Sequence, residues 1–515
     1  MRQTDDPTPA AESPGAGAVL LLMAAVFLLW SAMPALVQTV PHADNVEQLG
    51  WSHFLEWGYL KHPPLSTWLT HAALTVLPPT DLTTYALAMA CVAATLWITW
   101  RAARLVLDAE GAWIAVLLTS ADYYLMGRGS FLNHNTVMLP FVAASAWAVL
   151  SIVRGAGWSA WLVLGLAQAA GMLTKYQMAV VILANGLALL AAGCYRRPDF
   201  LRDASLACAA TLLPLFPHAL WLPQNGFSSF EYAGHSLLAD LGVLERVREA
   251  LVFLVQQVGR LAPALVVGAV VVGISWRAPS PPAPLPDGEG GKTDRPSPPG
   301  RGEGVRVSRA LLLLTWIPVT CVLVLTLFLG VSPQNHWGAT TTILVPLFAV
   351  TRLRTRLRAR PVLLGVACVH AVAAIFLLVY ASLIKPEFHN RFPAAGLAEE
   401  ALLAWKARVA GPLRVVIGPD WEAGALAMHL PGFPYALSSG KRAQAPWVTD
   451  PLLERCGALL VWRPAQDEAA QVGEIFAARA RDAGEIHAVG PRGEQSSLRI
   501  AVIAPVQAGV CVEGQ

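Results

Sequence analysis

Pro41–Leu65, PHADNVEQLGWSHFLEWGYLKHPPL, follows directly on the first long apolar run of the chain. It is too polar to enter a bilayer and too rich in Trp, Tyr and Phe to be an ordinary exposed loop. It carries Asp44, Glu47, Glu56 and Lys61, with His42, His53, His62 and, just beyond, His71. Acid, base and aromatic groups thus gather where the chain leaves the membrane, which suits chemistry on a substrate with a lipid anchor.

Outward from this stretch the chain is apolar. Of its 515 residues 55% are hydrophobic and 14% charged, against about 25% charged in soluble proteins. Mean hydropathy is +0.50. The net charge of +3 gives no basis for nucleic-acid binding. A span needs about 20 apolar residues, and eleven are expected, near 18–40, 82–100, 110–127, 136–153, 157–174, 177–194, 204–222, 249–275, 309–330, 338–352 and 361–384. Residues 65–80, cut by Pro78-Pro79, read as a helix lying at the interface. With the N-terminus inside, Arg101/Arg104, Arg154, Arg196/Arg197/Arg202 and Arg352–Arg360 all fall on the cytoplasmic side, as the positive-inside rule requires.

The expected fold class is a mainly α, polytopic membrane protein with a small C-terminal α/β domain outside the membrane. Residues 1–17 read as a disordered cytoplasmic segment with no cleavable signal peptide, 18–384 as the membrane domain, and 385–515 as the extracytoplasmic domain. Residues 278–308 are low-complexity and read as a disordered cytoplasmic loop. In the last domain, strand-like runs at Leu413–Ile417, Ala458–Trp462 and Leu498–Ile503 alternate with helical patterns at 422–429 and 465–482. Cys91, Cys194, Cys208, Cys321 and Cys368 read as small buried apolar residues. Cys456 and Cys511 could pair if their domain faces an oxidising compartment.

The candidate chemistry lies in the outer segments. Asp44, with Asn45 and Glu47 beside it, is either a solvated carboxylate or, held near apolar surface, a general base. Lys61-His62 is stiffened by Pro63-Pro64, and Lys61 either binds a phosphate or snorkels to headgroups. Lys175, on the outer side against the charge bias, poses the same alternative. Arg128, Asn133, His134 and Asn135 suit sugar hydroxyls, although Asn135 could equally cap a helix. Pro223–Phe230 with His235, and Gln334-Asn335-His336-Trp337, form two further polar-aromatic patches. There is no Gly-rich nucleotide loop, HExxH, GxSxG or Cys/His zinc spacing. No cofactor is assigned, and a divalent metal stays open.

The pattern resembles the membrane glycosyltransferases of the C-type (GT-C) fold, the family of protein O-mannosyltransferases and the lipid A aminoarabinose transferase. The resemblance rests on Ala43-Asp44-Asn45-Val46-Glu47-Gln48 and Gly58-Tyr59-Leu60-Lys61-His62-Pro63-Pro64-Leu65. Phe131–Thr136, Gly171–Tyr176, Gln224-Asn225-Gly226 and Asn335-His336-Trp337 follow in the family order. It implies transfer of one sugar, with inversion, from a polyprenyl-phosphate donor to a lipid, glycan or protein acceptor on the outer face of a bacterial cytoplasmic membrane. Asp44 would then deprotonate the acceptor, and Lys61, His62 and Lys175 would receive the leaving phosphate. Asn45, Glu47, Tyr59, Arg128, Asn133, Asn135, Asn225, His336 and Trp337 would contact substrate. Two departures mark a variant subgroup. Many relatives have Asp-Glu where this chain has Asp44-Asn45, and an acid in the second outer loop where it has Asn135. The rivals are a lipid-linked-sugar flippase and an inactive binding relative, but transporters place ionisable groups mid-span, not in outer loops.

Overall fold

In the computed structural model the described residues are 15–237, 241–277, 301–384, 391–464, 467, 472–491, 493, 495–506 and 511. Helix α1 (Ala16–Val37) leads through Val40 and Pro41 into the short amphipathic α2 (Ala43–Trp51) and then α3 (Leu65–Leu74). There follow α4 (Asp81–Ala103), α5 (Ala109–Ser120), the single turn α6 (Tyr123–Met126), α7 (His134–Val153), α8 (Trp158–Thr174) and α9 (Met178–Ala191). After these come α10 (Phe200–Gln224), α11 (Ser228–Leu237), α12 (Val243–Arg277) and α13 (Arg301–Leu329). The bundle ends with α14 (Gly338–Thr341), α15 (Val345–Leu353) and α16 (Ala359–Val379).

Side-chain caps fix where several helices begin. The Thr80 hydroxyl accepts the Thr83 amide at the start of α4, Asp108 accepts Gly111 N–H at 2.8 Å before α5, and Asn133 accepts two amides at the start of α7. Among the described residues, seven helices (α1, α4, α7, α10, α12, α13, α16) are long and apolar enough to cross a membrane, and α5, α8 and α9 are shorter apolar helices. The expected span at 338–352 differs. It is broken into a 3-10 turn (Asn335–Trp337), the one-turn α14 and the nine-residue α15. Nine residues rise about 13 Å, well short of a bilayer core of about 30 Å. The break brings Trp337 and its neighbours back into the bundle.

The loops sort into two groups. At one end Arg354 pairs with Asp108 and Glu110, each at 2.8 Å, and Arg154 donates to the Leu105 carbonyl at 2.7 Å. Arg197 donates to the Val153 carbonyl at 3.2 Å, and Glu303 lies 3.9 Å from Arg154. The loops that read as cytoplasmic therefore touch one another, while the outer segments meet around a cavity at the opposite end.

The C-terminal domain packs over α2. Its helices are α17 (Ala394–Lys406), α18 (Asp420–His429) and α19 (Asp450–Cys456). Its strands are β1 (Val415–Gly418), β2 (Tyr435–Ser438), β3 (Ala458–Trp462), β4 (Arg481–Val489) and β5 (Gln495–Ile503), in the order β2-β1-β3-β5-β4. The β2-β1-β3 part is parallel and β3-β5-β4 antiparallel, with Leu460 opposite Ala501. β1 and β3 are buried throughout, the pattern of strands covered on both faces. α17 and α18 cover one face, and Val448, Leu453 and Phe476 the other. Cys456 and Cys511 form a disulfide that ties the C-terminal segment to α19.

Several expectations need correction. The helix α1 begins at Ala16, so the polar segment is shorter than residues 1–17, and 1–14 lie outside the described residues. Of the loop 278–308, residues 278–300 lie outside the described residues and 301–308 belong to α13. Among the described residues, the helical pattern at 465–482 gives a helical Val472 and the turn Glu474–Ala477, and its end is already β4. Strands β2 and β4 were not anticipated, because their mixed exposure hides a period of two. Cys91 and Cys194 are buried, but Cys208 and Cys368 are exposed and Cys321 half-buried. They lie on apolar helices whose outer faces are apolar too.

Candidate active site

A cavity of about 670 Å³ opens among α2, the 52–64 loop, the starts of α7 and α9, α11, α13 and the 331–337 segment. Its wall holds Asp44, Glu47, Lys61, His62, Asn133, Asn135, Lys175, His336 and Trp337. Nine of the expected site residues thus share one chamber, although they come from five separate stretches of chain.

Helix α2 begins at His42, whose Nδ1 accepts the Asp44 amide at 3.3 Å. The Asp44 carboxylate also lies 3.7 Å from this Nδ1. Asp44 sits in the first turn, where the helix dipole favours negative charge. Its Oδ2 accepts from Asn133 Nδ2 at 3.0 Å. Asn133 in turn caps α7 with its Oδ1, which accepts the Asn135 and Thr136 amides at 3.0 Å each. The same residue therefore starts a helix and orients the carboxylate.

Lys175 ends α8 in extended conformation and turns into the cavity. Its Nζ donates to Asn135 Oδ1 at 2.7 Å and lies 5.6 Å from the Trp337 ring. Among the described residues it has no carboxylate within ion-pair distance. Burial therefore pulls its pKa down to about 7, with the Asp44 carboxylate opposing the shift. Lys61 differs. Its Nζ lies 2.6 Å from Glu47 Oε2. Burial works against its charge, but Glu47 outweighs that and raises its pKa. Burial pushes Glu47 up to about 7, with Lys61 pulling the other way. The His62 ring lies tilted against that of His134, with ring centroids 3.8 Å apart. Burial, with His134 and both lysines nearby, holds His62 well below the usual range, so it is neutral at pH 7. Burial also lowers His336 to about 3.

The segment bearing His336 and Trp337 is tied down from behind. Arg260 of α12 pairs with Asp122 at 2.6 Å, both fully buried, and donates to the Gly338 carbonyl at 2.9 Å and to Gln257 Oε1 at 3.1 Å. A Cβ at 338 would run into the end of the Gln257 side chain, which would have to move away. Gln177 donates to the Trp337 carbonyl at 3.1 Å.

The C-terminal domain steadies α2. Trp421 Nε1 donates to the Pro41 carbonyl at 2.9 Å, and Gly424 leaves room for Val46. Trp447 stacks on Phe54 at 5.1 Å and Tyr435 lies 4.8 Å from His53, which pins the loop leading to Lys61.

Four of the expected site residues lie outside the cavity wall. The Asn45 side chain is fully buried and bonded to Thr84, the Ser130 carbonyl and the Leu132 amide. Tyr59 stacks on Trp51 and donates to the Phe54 carbonyl at 2.6 Å. Arg128 lies 5.4 Å from the Phe131 ring, which stacks on His42 behind Asp44. Asn225 is exposed at the end of α10, where it donates to the Trp221 carbonyl. Conversely, Gln48, Tyr176, Gln177 and Tyr232 line the cavity without having been singled out as candidate residues, and His134 and Gln334, which were, line it too. Tyr176 and Gln177 were signalled by following Lys175, but Tyr232 of α11 had no such marker. Val180, Val322, Leu325 and Val331 give the chamber an apolar flank between α9 and α13. Among the described residues, no three His, Cys, Asp or Glu side chains are grouped to hold a metal.

Residues 61–221 match the family model of dolichyl-phosphate-mannose-protein mannosyltransferase. No curated protein sequence matches the chain significantly. Among solved structures, the chain is similar to ArnT from Cupriavidus metallidurans bound to undecaprenyl phosphate. The TM-score is 0.60 at 12% identity, over 96% of this chain and 100% of that one. The apo state of the same enzyme gives 0.53 at 14% identity, over 96% and 99%. These likenesses give the bundle and its C-terminal domain an ArnT-like fold, and within it residues 61–221 carry the likeness to the dolichyl-phosphate-mannose-protein mannosyltransferase family.

Proposed function

We propose that the protein transfers a monosaccharide, with inversion, from a polyprenyl-phosphate donor to a lipid, glycan or protein acceptor at the outer face of a bacterial cytoplasmic membrane. The observation that carries this reading is the convergence of Asp44, Lys61, His62 and Lys175 on one chamber with an apolar flank. That flank runs along α9 and α13, which suits a prenyl tail, while the polar wall suits a phosphate and a sugar. The likeness to an enzyme crystallised with undecaprenyl phosphate supports a donor of this kind.

Asp44 accepts the proton of the acceptor hydroxyl, because it is a partly exposed carboxylate held by Asn133 at the cavity mouth. The hydroxyl oxygen attacks the anomeric carbon as the sugar–phosphate bond breaks. Negative charge then develops on the phosphate, and preorganised cations stabilise charge where it develops. Lys175 supplies a cation with no carboxylate of its own, and Lys61 a second. His62 is neutral, so it contributes a hydrogen bond and no charge. The disulfide between Cys456 and Cys511 suits an oxidising compartment, which supports the orientation with the C-terminal domain outside.

The test incubates the purified protein in lipid with a panel of prenyl-phosphate sugars and follows release of prenyl phosphate. The wild type is expected to release it with at least one member. Asp44→Asn is expected to stop release while donor still binds. A flippase would be indifferent to that change, and an enzyme inert towards every donor would refute the reading.

A further inference from the structure

The cavity holds two lysines in different electrical situations. Lys175 faces an amide oxygen and an aromatic ring, whereas Lys61 is already occupied by Glu47 at 2.6 Å. If the chamber takes a prenyl phosphate, as proposed above, the phosphate and Glu47 compete for the same ammonium. We propose that Glu47 is a displaceable counter-ion, which takes a proton from water as the lipid phosphate takes over Lys61, and remains in the wall as a neutral hydrogen-bond donor.

The surroundings leave Glu47 few alternatives. Asp44 stands one turn before it on α2, and Asp420 acts on it from α18 of the C-terminal domain. Lys61 is the cation that meets it, and Tyr232 of α11 and Asp420 also act on that lysine. His62 and His134 share the wall beside Lys61, and His62 carries no charge to lend. An arriving phosphate therefore adds an anion to a wall that already holds Asp44 and Glu47 and feels Asp420, and removes the partner of the more enclosed of the two. Like charges and loss of an opposite charge both favour the neutral acid. Burial has already brought Glu47 up to about 7, so a modest further rise suffices. One proton passes from solvent to the carboxylate on binding and returns on release. No bond of the lipid changes in this step.

Lys175 also gains a proton when an anion arrives, so total proton uptake would not single out Glu47. A carboxylic acid has its own infrared signature. The experiment is infrared difference spectroscopy of the full chain in nanodiscs at about pH 8, above neutrality, on adding undecaprenyl phosphate, with undecaprenol as the uncharged control. The expected result is a protonated-carboxyl band with the phosphate and none with the alcohol. Glu47→Gln is expected to lose the band and to bind the phosphate at least about threefold more tightly, since the competing anion is gone. Should that variant not fold, Glu47→Asp must shift the band's frequency. Binding without a band in the wild type, or a band that persists in Glu47→Gln, overturns the proposal. No binding of undecaprenyl phosphate at all sinks the donor reading itself.

Discussion

Arg354 and Lys175 mark opposite ends of the helix bundle and have opposite company. Arg354 is met by both oxygens of Asp108 and by Glu110, all at 2.8 Å. Lys175 meets an amide oxygen and an indole, beside a chamber of about 670 Å³. At the first end the charges satisfy one another and hold loops together. At the second they surround a space, and one cation is left for something to fill. Asp122 and Arg260 belong to the first kind chemically, yet they serve the second end, because their pair anchors Gly338 behind Trp337. Pairing alone thus does not separate structure from function. What separates them is whether the charge faces protein or a void.

This contrast can be broken most severely at Asp44. Asp44→Asn should lower kcat for sugar transfer about 10³-fold while donor affinity changes little. Equal losses in both, measured by single-turnover assay and lipid-binding titration, would show that Asp44 holds the site together and does not act on the acceptor.

Next is the buried pair. Arg260→Met leaves Asp122 without its cation in a sealed site, and should cost about 3–5 kcal/mol of stability. Restoring balance with Asp122→Asn in the same chain should recover much of it. Thermal unfolding of the single and double variants checks this.

Lys175→Met should lower kcat/KM about 10²-fold, with the fold retained. Its pH dependence sharpens the point. Because the lysine's pKa lies near 7 in the folded chain against an ordinary 10.5, the cation is lost as pH rises through 7. Activity should fall on that limb, and Lys175→Met should flatten it. Stability runs the other way. Between about 7 and 10.5 the unfolded chain binds the extra proton, so this group makes the fold more stable as pH rises through that window.

The smallest effect belongs to the other end. Arg354→Met should cost about 1 kcal/mol or less, since Asp108 is 59% exposed and solvent screens the pair. Transfer activity should be unchanged. A large loss of activity would mean that the two ends are coupled through the bundle.

Much of this was legible in the order of residues. The apolar runs, the one-sided basic loops and the acid-aromatic stretch at Pro41–Leu65 follow from local composition, which acts through burial and screening and needs no knowledge of neighbours. Strand β3 was legible because Ala458–Trp462 is buried on both faces and so reads as an unbroken apolar run. Asn45 and Tyr59 were not, because a polar side chain looks the same in sequence whether it faces a cavity or bridges two loops. Only packing directed the Asn45 amide to Thr84 and Ser130.

From sequence alone came the membrane class, the sidedness of charge, and the presence of a carboxylate and two lysines in outer segments, since each depends on what a residue is. Tertiary structure alone decided that Lys61 would be held by Glu47 and Lys175 left to Asn135 and Trp337. It also decided that the run at 338–352 would break to close the chamber. Those outcomes depend on which distant groups share a low-dielectric space, and that is fixed when the helices pack.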